Sequence, residues 1–168
     1  MPPMFEPIVN EFRQEAATTK RVFERIPEDK LSWKPHQKSM SLGQLAFHIA
    51  SVPGRIAQSL QQNQFEAPAN GFDPPQPKSV KEIQDAFEQS CKTAEEWLHG
   101  MSEQSARENW SLIVRGKQVF NQPRINVVRS IMMNHCYHHR GQLSVYLRLL
   151  DVPVPSVYGP SADENPFA

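Results

Sequence analysis

The sequence predicts an all-α protein: an antiparallel four-helix bundle with a long connection, able to hold a hairpin, between its third and fourth helices. Three observations point that way. Four segments of about 20 residues or more carry apolar side chains at the three-then-four spacing of a helix face. Capping patterns fall between those segments, and the prolines fall mainly at the beginning, between segments and at the C-terminus. The length, 168 residues, suits one domain with a core that needs no disulfide framework. A single domain over residues 1–168 is therefore expected.

The first helix sets Phe5, Val9, Phe12, Ala16, Thr19, Val22, Phe23 and Ile26 on one side over about six turns. Pro27, Glu28 and Asp29 stop it. Ser41-Leu42-Gly43-Gln44 is a capping-box pattern that starts the second helix. Its seam is Leu42, Leu45, Ile49, Val52, Ile56 and Leu60, and Pro53 should kink or weaken it locally. Four prolines and one glycine mark Asn63 to Lys78 as a connection. A second capping box, Ser79 to Glu82, opens the third helix, with Val80, Ile83, Phe87, Cys91, Ala94, Leu98 and Met101 on its apolar track and an end near Gly100. Between Ser102 and Gln122, the stretches Trp110–Val114 and Gln118–Phe120 flank Arg115-Gly116-Lys117, and either a short hairpin or a structured loop fits. The fourth helix is expected from about Pro123, a good first-turn residue, to Leu150. Asp151-Val152-Pro153-Val154-Pro155 ends it, and the tail to Ala168 reads as irregular.

Eighteen Lys and Arg balance eighteen Asp and Glu, so the net charge of zero favours no polyanion, and nucleic acid is set aside as a partner. Two cysteines are too few for a disulfide framework, and no segment resembles a signal peptide. No run of about 18 apolar residues exists to cross a membrane. A cytoplasmic location is expected.

The chemistry-bearing residues are histidines. His135 and His139 stand four apart on the track Val128, Met132, His135, His139, Gln142, Tyr146, so they lie one above the other on the apolar face. His48 takes the equivalent place on the second helix, between Leu45 and Val52. His-x-x-x-His alone is a weak signal, since most such pairs are core or surface histidines. Buried polar groups need partners, however, and the fourth-helix seam offers no obvious carboxylate. Three imidazoles converging on one ion would answer that need and leave an open coordination position, the plan of a catalytic metal site.

The neighbours are read differently. His138 is rotated about 100° from His139 and belongs at the seam edge or against another subunit. His36 and His99 read as solvent-facing. Cys136 stands where a zincin protease has its glutamate base, which argues against a peptidase. Cys91 reads as a small core residue and Cys136 as pointing off the seam, neither a ligand. Arg140 and Gln142 are candidates to orient substrate or a bound water; equally, Arg140 suits a surface ion pair and Gln142 a seam hydrogen bond.

Three stretches resemble the DinB-like (DinB/YfiT) family: Leu31 to Ala50 (LSWKPHQKSMSLGQLAFHIA), His135 to Leu150 (HCYHHRGQLSVYLRLL) and Val152 to Glu164 (VPVPSVYGPSADE). The resemblance implies a four-helix bundle that holds a divalent metal, nickel or zinc, through a histidine triad falling on His48, His135 and His139. It further implies a small-molecule substrate and a homodimer. Characterised relatives are metal-dependent transferases and isomerases that use low-molecular-weight thiols such as bacillithiol or mycothiol. The expected activity is thus transfer of such a thiol to a small electrophile. A metal-dependent hydrolase is the runner-up, followed by a protein that holds metal or a small ligand without turnover, and by a purely structural bundle. Exposed aromatics near Trp110 and Phe120 are expected to leave apolar surface for the dimer.

Overall fold

Apolar spacing becomes three long helices in the computed structural model, which describes residues 5–69, 71 and 73–167. Helix α1 spans Glu6–Phe23 and buries Val9, Phe12, Val22 and Phe23. Helix α2 spans Leu42–Ser59 and starts on the full capping box: Ser41 accepts from the Gln44 amide, and Gln44 reaches back to Ser41. It continues through Pro53 to Ser59. Helix α3 spans Val80–Gly100. Only half of its predicted box forms, because the Glu82 carboxylate accepts from the Lys78 amide.

Helices α2 and α3 approach closely. The Gly54 amide donates to Ser90 Oγ at 2.7 Å, and a Cβ at Gly54 would meet Ser90 Cα at 2.9 Å. Only glycine fits that crossing without displacing backbone.

The all-α expectation needs a correction, for the mostly helical chain carries a three-stranded sheet. A short helix, α4 (Glu103–Arg107), precedes the hairpin of β2 (Asn109–Val114) and β3 (Lys117–Pro123). Arg115 and Gly116 turn it with φ of 51° and 72°. Two successive left-handed residues make the turn whose twist matches antiparallel strands. Strand β1 (Gln64–Glu66), inside the proline-rich connection, pairs parallel with β2 through Gln64 opposite Ser111 and Glu66 opposite Ile113. Arg124 ties this corner together. Its guanidinium, buried with the side chain, donates to the Leu60 and Gln62 carbonyls and to Asn63 Oδ1 at 3.0, 3.1 and 2.8 Å.

Pro123 closes β3 as the cap of the last helix, one place earlier than a first-turn residue. That helix is not regular. It consists of α5 (Arg124–Val127), a π-helical segment (Val128–Met133) and α6 (Asn134–Leu149). The Asn134 amide bonds to the Arg129 carbonyl, five residues back. A π turn inserts one residue into the helical register. Upstream, Val128 and Met132 are buried as predicted; downstream the buried positions are Arg140, Leu143 and Leu147. Each lies one place beyond the predicted track of His139, Gln142 and Tyr146.

Helix α2 packs on α3 and α6, and α1 packs on the same two. The core divides into two apolar clusters. One holds Phe5, Phe12, Leu60, Leu98, Trp110 and Met132; the other holds Phe23, Leu45, Ile49, Ile83, Leu143 and Leu147. Polar side chains are buried as well, among them Thr19, His48, Ser90 and Arg140. No helix of the described residues is long and apolar enough to cross a membrane.

The tail is irregular, as predicted, yet fixed. Arg148 pairs with Asp163, Arg21 with Glu164, and Ser161 Oγ donates to the Val154 carbonyl.

Candidate metal centre

His48 lies on α2, and His135 and His139 lie one turn apart on α6 facing it. His48 Nε2 is 3.3 Å from His135 Nε2, which is 2.7 Å from His139 Nε2. Each ring offers a nitrogen within 4.8 Å of the other two. Two ligands at about 2.05 Å from one ion stand about 3.3 Å apart at the tetrahedral angle and about 2.9 Å apart at a right angle. The cluster therefore has the dimensions of a single coordination sphere.

Electrostatics agree. Burial, followed by His139, His135 and Arg55, holds His48 down at about 4. Burial, followed by His139 and His138, holds His135 at about 4. Burial also lowers His139, against an upward pull from its hydrogen bond to Gln142. All three rings are thus neutral at pH 7, the form that binds metal. Gln142 Oε1 lies 2.7 Å from His139 Nδ1. An acceptor there puts the proton on Nδ1 and turns the Nε2 lone pair toward His135. Two lone pairs facing at 2.7 Å need a proton or a cation between them, and one cation shared by three rings satisfies all of them. His48 Nδ1 is buried without a hydrogen-bond partner.

The residues predicted alongside these take other places. His138 is exposed, and its ring touches that of His139 at 4.9 Å without joining the cluster. His36 and His99 are exposed. Arg140 is no surface residue: at 1% exposure it donates to the Glu15 carbonyl and carboxylate, to Thr19 Oγ1 and to Tyr158 OH. Cys136, expected off the seam, is half-buried and lines a small void with Phe12, Ile49 and Met132. Burial raises its pKa to about 12 and does the same for half-buried Cys91. Trp110, expected exposed, is 2% accessible and donates through Nε1 to the Ser59 carbonyl; Phe120 is half-buried.

A cavity of about 370 Å³ opens from His48 and His135. Val52 and Ile56 of α2, Phe65 of β1, Trp110 and Leu112 of β2, and Ile131 of the π segment wall it. Its size lies at the small end of ligand pockets. The sequence did carry one sign of it: His48, Val52, Arg55, Ile56 and Ser59 recur at helical spacing on one stripe of α2. The strand contribution left no comparable pattern.

A mostly helical body with an inward histidine triad beside a small cavity is compatible with one bound metal ion. A model of the DinB family matches residues 1–166, and the chain belongs to that family. It is 27% identical over 151 residues to the uncharacterized protein YrdA of Bacillus subtilis (strain 168), covering 89% of this chain and 85% of that protein. Its structure is similar to that of a DinB-like protein from Bacillus cereus ATCC 10987, with a TM-score of 0.69, 24% identity, and coverage of 89% of this chain and 94% of that one. The DinB-like protein YjoA of Bacillus subtilis matches with a TM-score of 0.66 and 21% identity, covering 87% of this chain and 93% of the other. At these identities the likenesses concern the fold alone.

Proposed function

We propose that this protein is a metalloenzyme in which His48, His135 and His139 hold one divalent ion, nickel or zinc, for transfer of a low-molecular-weight thiol to a small electrophile. The observation that carries the reading is the convergence of three neutral imidazole nitrogens within one coordination sphere beside a cavity lined by His48 and His135. When bound, such an ion lowers the pKa of a thiol or water that joins it. The protein's own residues do the rest. Gln142 orients His139 and keeps its Nε2 free. Arg140 ties α6 to α1 through Glu15 and Thr19 and belongs to the fold, not to the site.

The thiol reading is preferred to hydrolysis on one observation. No carboxylate is among the described residues that line the cavity, so the usual general base for water is missing. A thiol, with a free pKa of about 8.5 against 15.7 for water, gives up its proton to solvent near neutral pH with far less help from a base. Neither protein cysteine serves as the nucleophile, because burial keeps both thiols protonated.

The same reading takes α1, α2, α3 and the α5–α6 helix as a four-helix bundle in a single cytoplasmic domain. It takes the protein as a homodimer, supported by Val145 and Leu149, exposed apolar residues one turn apart on α6. Light scattering at micromolar concentration tests the dimer, and a monomer mass removes it.

The central test is metal analysis of purified protein and its variants. Alanine at His48, His135 or His139 should abolish bound metal, whereas His138→Ala should retain it. Turnover of model electrophiles should require added thiol and survive the Cys91→Ala, Cys136→Ala double change. Metal retained in His135→Ala overturns the site; turnover without thiol transfers the reading to hydrolysis.

A further inference from the structure

The cavity that His48 and His135 line is apolar over most of its wall. Val52 and Ile56 follow His48 at successive turns of α2 and form one side. Phe65 of β1, Trp110 and Leu112 of β2, and Ile131 of the π segment form the rest. Beyond this wall the lining turns polar. Gln58, Gln62 and Gln64 are exposed, and Gln58 lies about 15 Å along the helix axis from His48. Arg55 lines the cavity too and is already engaged within the protein. No carboxylate is among the described residues that line it. Trp110 is a fixed wall, its indole N–H bonded to the Ser59 carbonyl at 3.0 Å and its ring edge-on to Phe120.

We propose that this cavity takes one uncharged aromatic molecule of about two fused rings, seated between the histidines and the glutamines. The volume sets the size. A void of about 150 Å³ accepts one benzene ring, so about 370 Å³ suits two fused rings or one ring with a short chain. The walls set the polarity. A charged group among these apolar side chains would lose its water without gaining a partner, and a sugar or nucleotide would leave many hydroxyls unpaired. The walls also set the shape. Flat rings pack edge-on or offset against Phe65 and Trp110 and gain more than burial alone supplies. This deepens the proposed function by naming the electrophile's class, and it rests on that reading only for calling the ligand a substrate.

The test is calorimetric titration of the full-length, metal-loaded protein with indole and with N-methylquinolinium, a permanent cation of similar two-ring shape. Neither probe has a lone pair free for a metal, so both report on the cavity alone. Indole should bind with a Kd below about 1 mM and with a negative heat-capacity change, the mark of apolar burial. N-methylquinolinium should bind at least about tenfold more weakly, because its charge sits in the ring and cannot stay in water. Ile56→Trp and Leu112→Trp fill the cavity from a helix and from a strand. Each should weaken indole by more than about tenfold and leave metal content unchanged. No saturable indole binding overturns the proposal, and so does equal or tighter binding of the cation. Indole affinity that survives in both filled variants also overturns it, since the ring is then held elsewhere. Failure of the metal reading shows in a different measurement, retention of metal by His135→Ala.

Discussion

His139 and Arg140 are sequence neighbours on α6, and their surroundings differ in the way that separates a reactive polar group from a structural one. Arg140 is the more deeply buried, and every contact it makes is complementary: Glu15, Thr19 and Tyr158 accept its protons, and the Tyr137 and Tyr158 rings lie 5.4 and 5.2 Å from its guanidinium carbon. His139 is half-buried, and its near neighbours are other imidazoles. Depth of burial alone would rank Arg140 first as the working residue. The partner set reverses that order, because satisfied charge holds a fold in place while converging lone pairs invite a cation.

The strongest way to break the comparison is to remove the π insertion that separates the two faces. Deleting Ser130, exposed within the π segment, leaves Val127 and Val128 unable to face the core together with Arg140, Leu143 and Leu147. Stability should fall by more than one core truncation, which costs about 2–5 kcal/mol; an unchanged urea midpoint would show that the register is free to slip. Next in size is Arg140→Met. Breaking a buried pair costs about 3–5 kcal/mol because the partner charge, here Glu15, is left behind. Metal content should not change, and a loss of metal in the folded variant would erase the distinction between the two faces.

Gln142→Ala sharpens the other face. The residue is exposed, so the fold should survive, while metal affinity falls by about 10–100-fold, the usual effect of losing an outer partner of a ligating histidine. Competition with a chelator measures it, and wild-type affinity would remove Gln142 from the site. The smallest effect concerns pH. In metal-stripped protein His48 and His135 stay neutral down to about 4, whereas in the unfolded chain they take protons near 6.5. The unfolded state therefore binds more protons in that window, and stability falls as pH drops from about 6.5 toward 4; above 6.5 both states are neutral and the effect is absent. Solvent screening keeps it modest. A His48→Gln, His135→Gln double variant should show a flatter urea midpoint between pH 7 and 5, and an unchanged slope would refute the assignment.

The helices and the triad were legible because each has a local cause. Ser41 and Gln44 cap α2 within four residues, the apolar spacing persists over whole helices, and His135 and His139 are four apart on any α-helix. The π segment was not legible, since its bonds reach five residues back in a stretch whose composition, Val-Arg-Ser-Ile-Met-Met, suits an α-helix equally. It displaced the predicted seam by one position, put Arg140 in the interior and set the histidines at the seam's edge, where a cavity can reach them. Strand β1 was hidden for another reason. Three residues, Gln64, Phe65 and Glu66, are too few to show alternation, and their pairing partner lies more than 40 positions away, at 111–113. The hairpin was readable as one of two options because its turn is local, and Trp110 was misplaced because its burial depends on the end of α2.

The outer wall of the cavity belongs largely to strands, while the clustered histidines belong to helices. Substitutions at Phe65, Trp110 or Leu112 can therefore change which molecule enters without moving His48, His135 or His139. The Arg115-Gly116 turn adds freedom of another kind. Lengthening the hairpin by one residue on each strand preserves the strand register, so the wall can grow outward in paired steps. What the cavity admits can thus be altered through the sheet, and what happens at the histidines through the helices, each without the other.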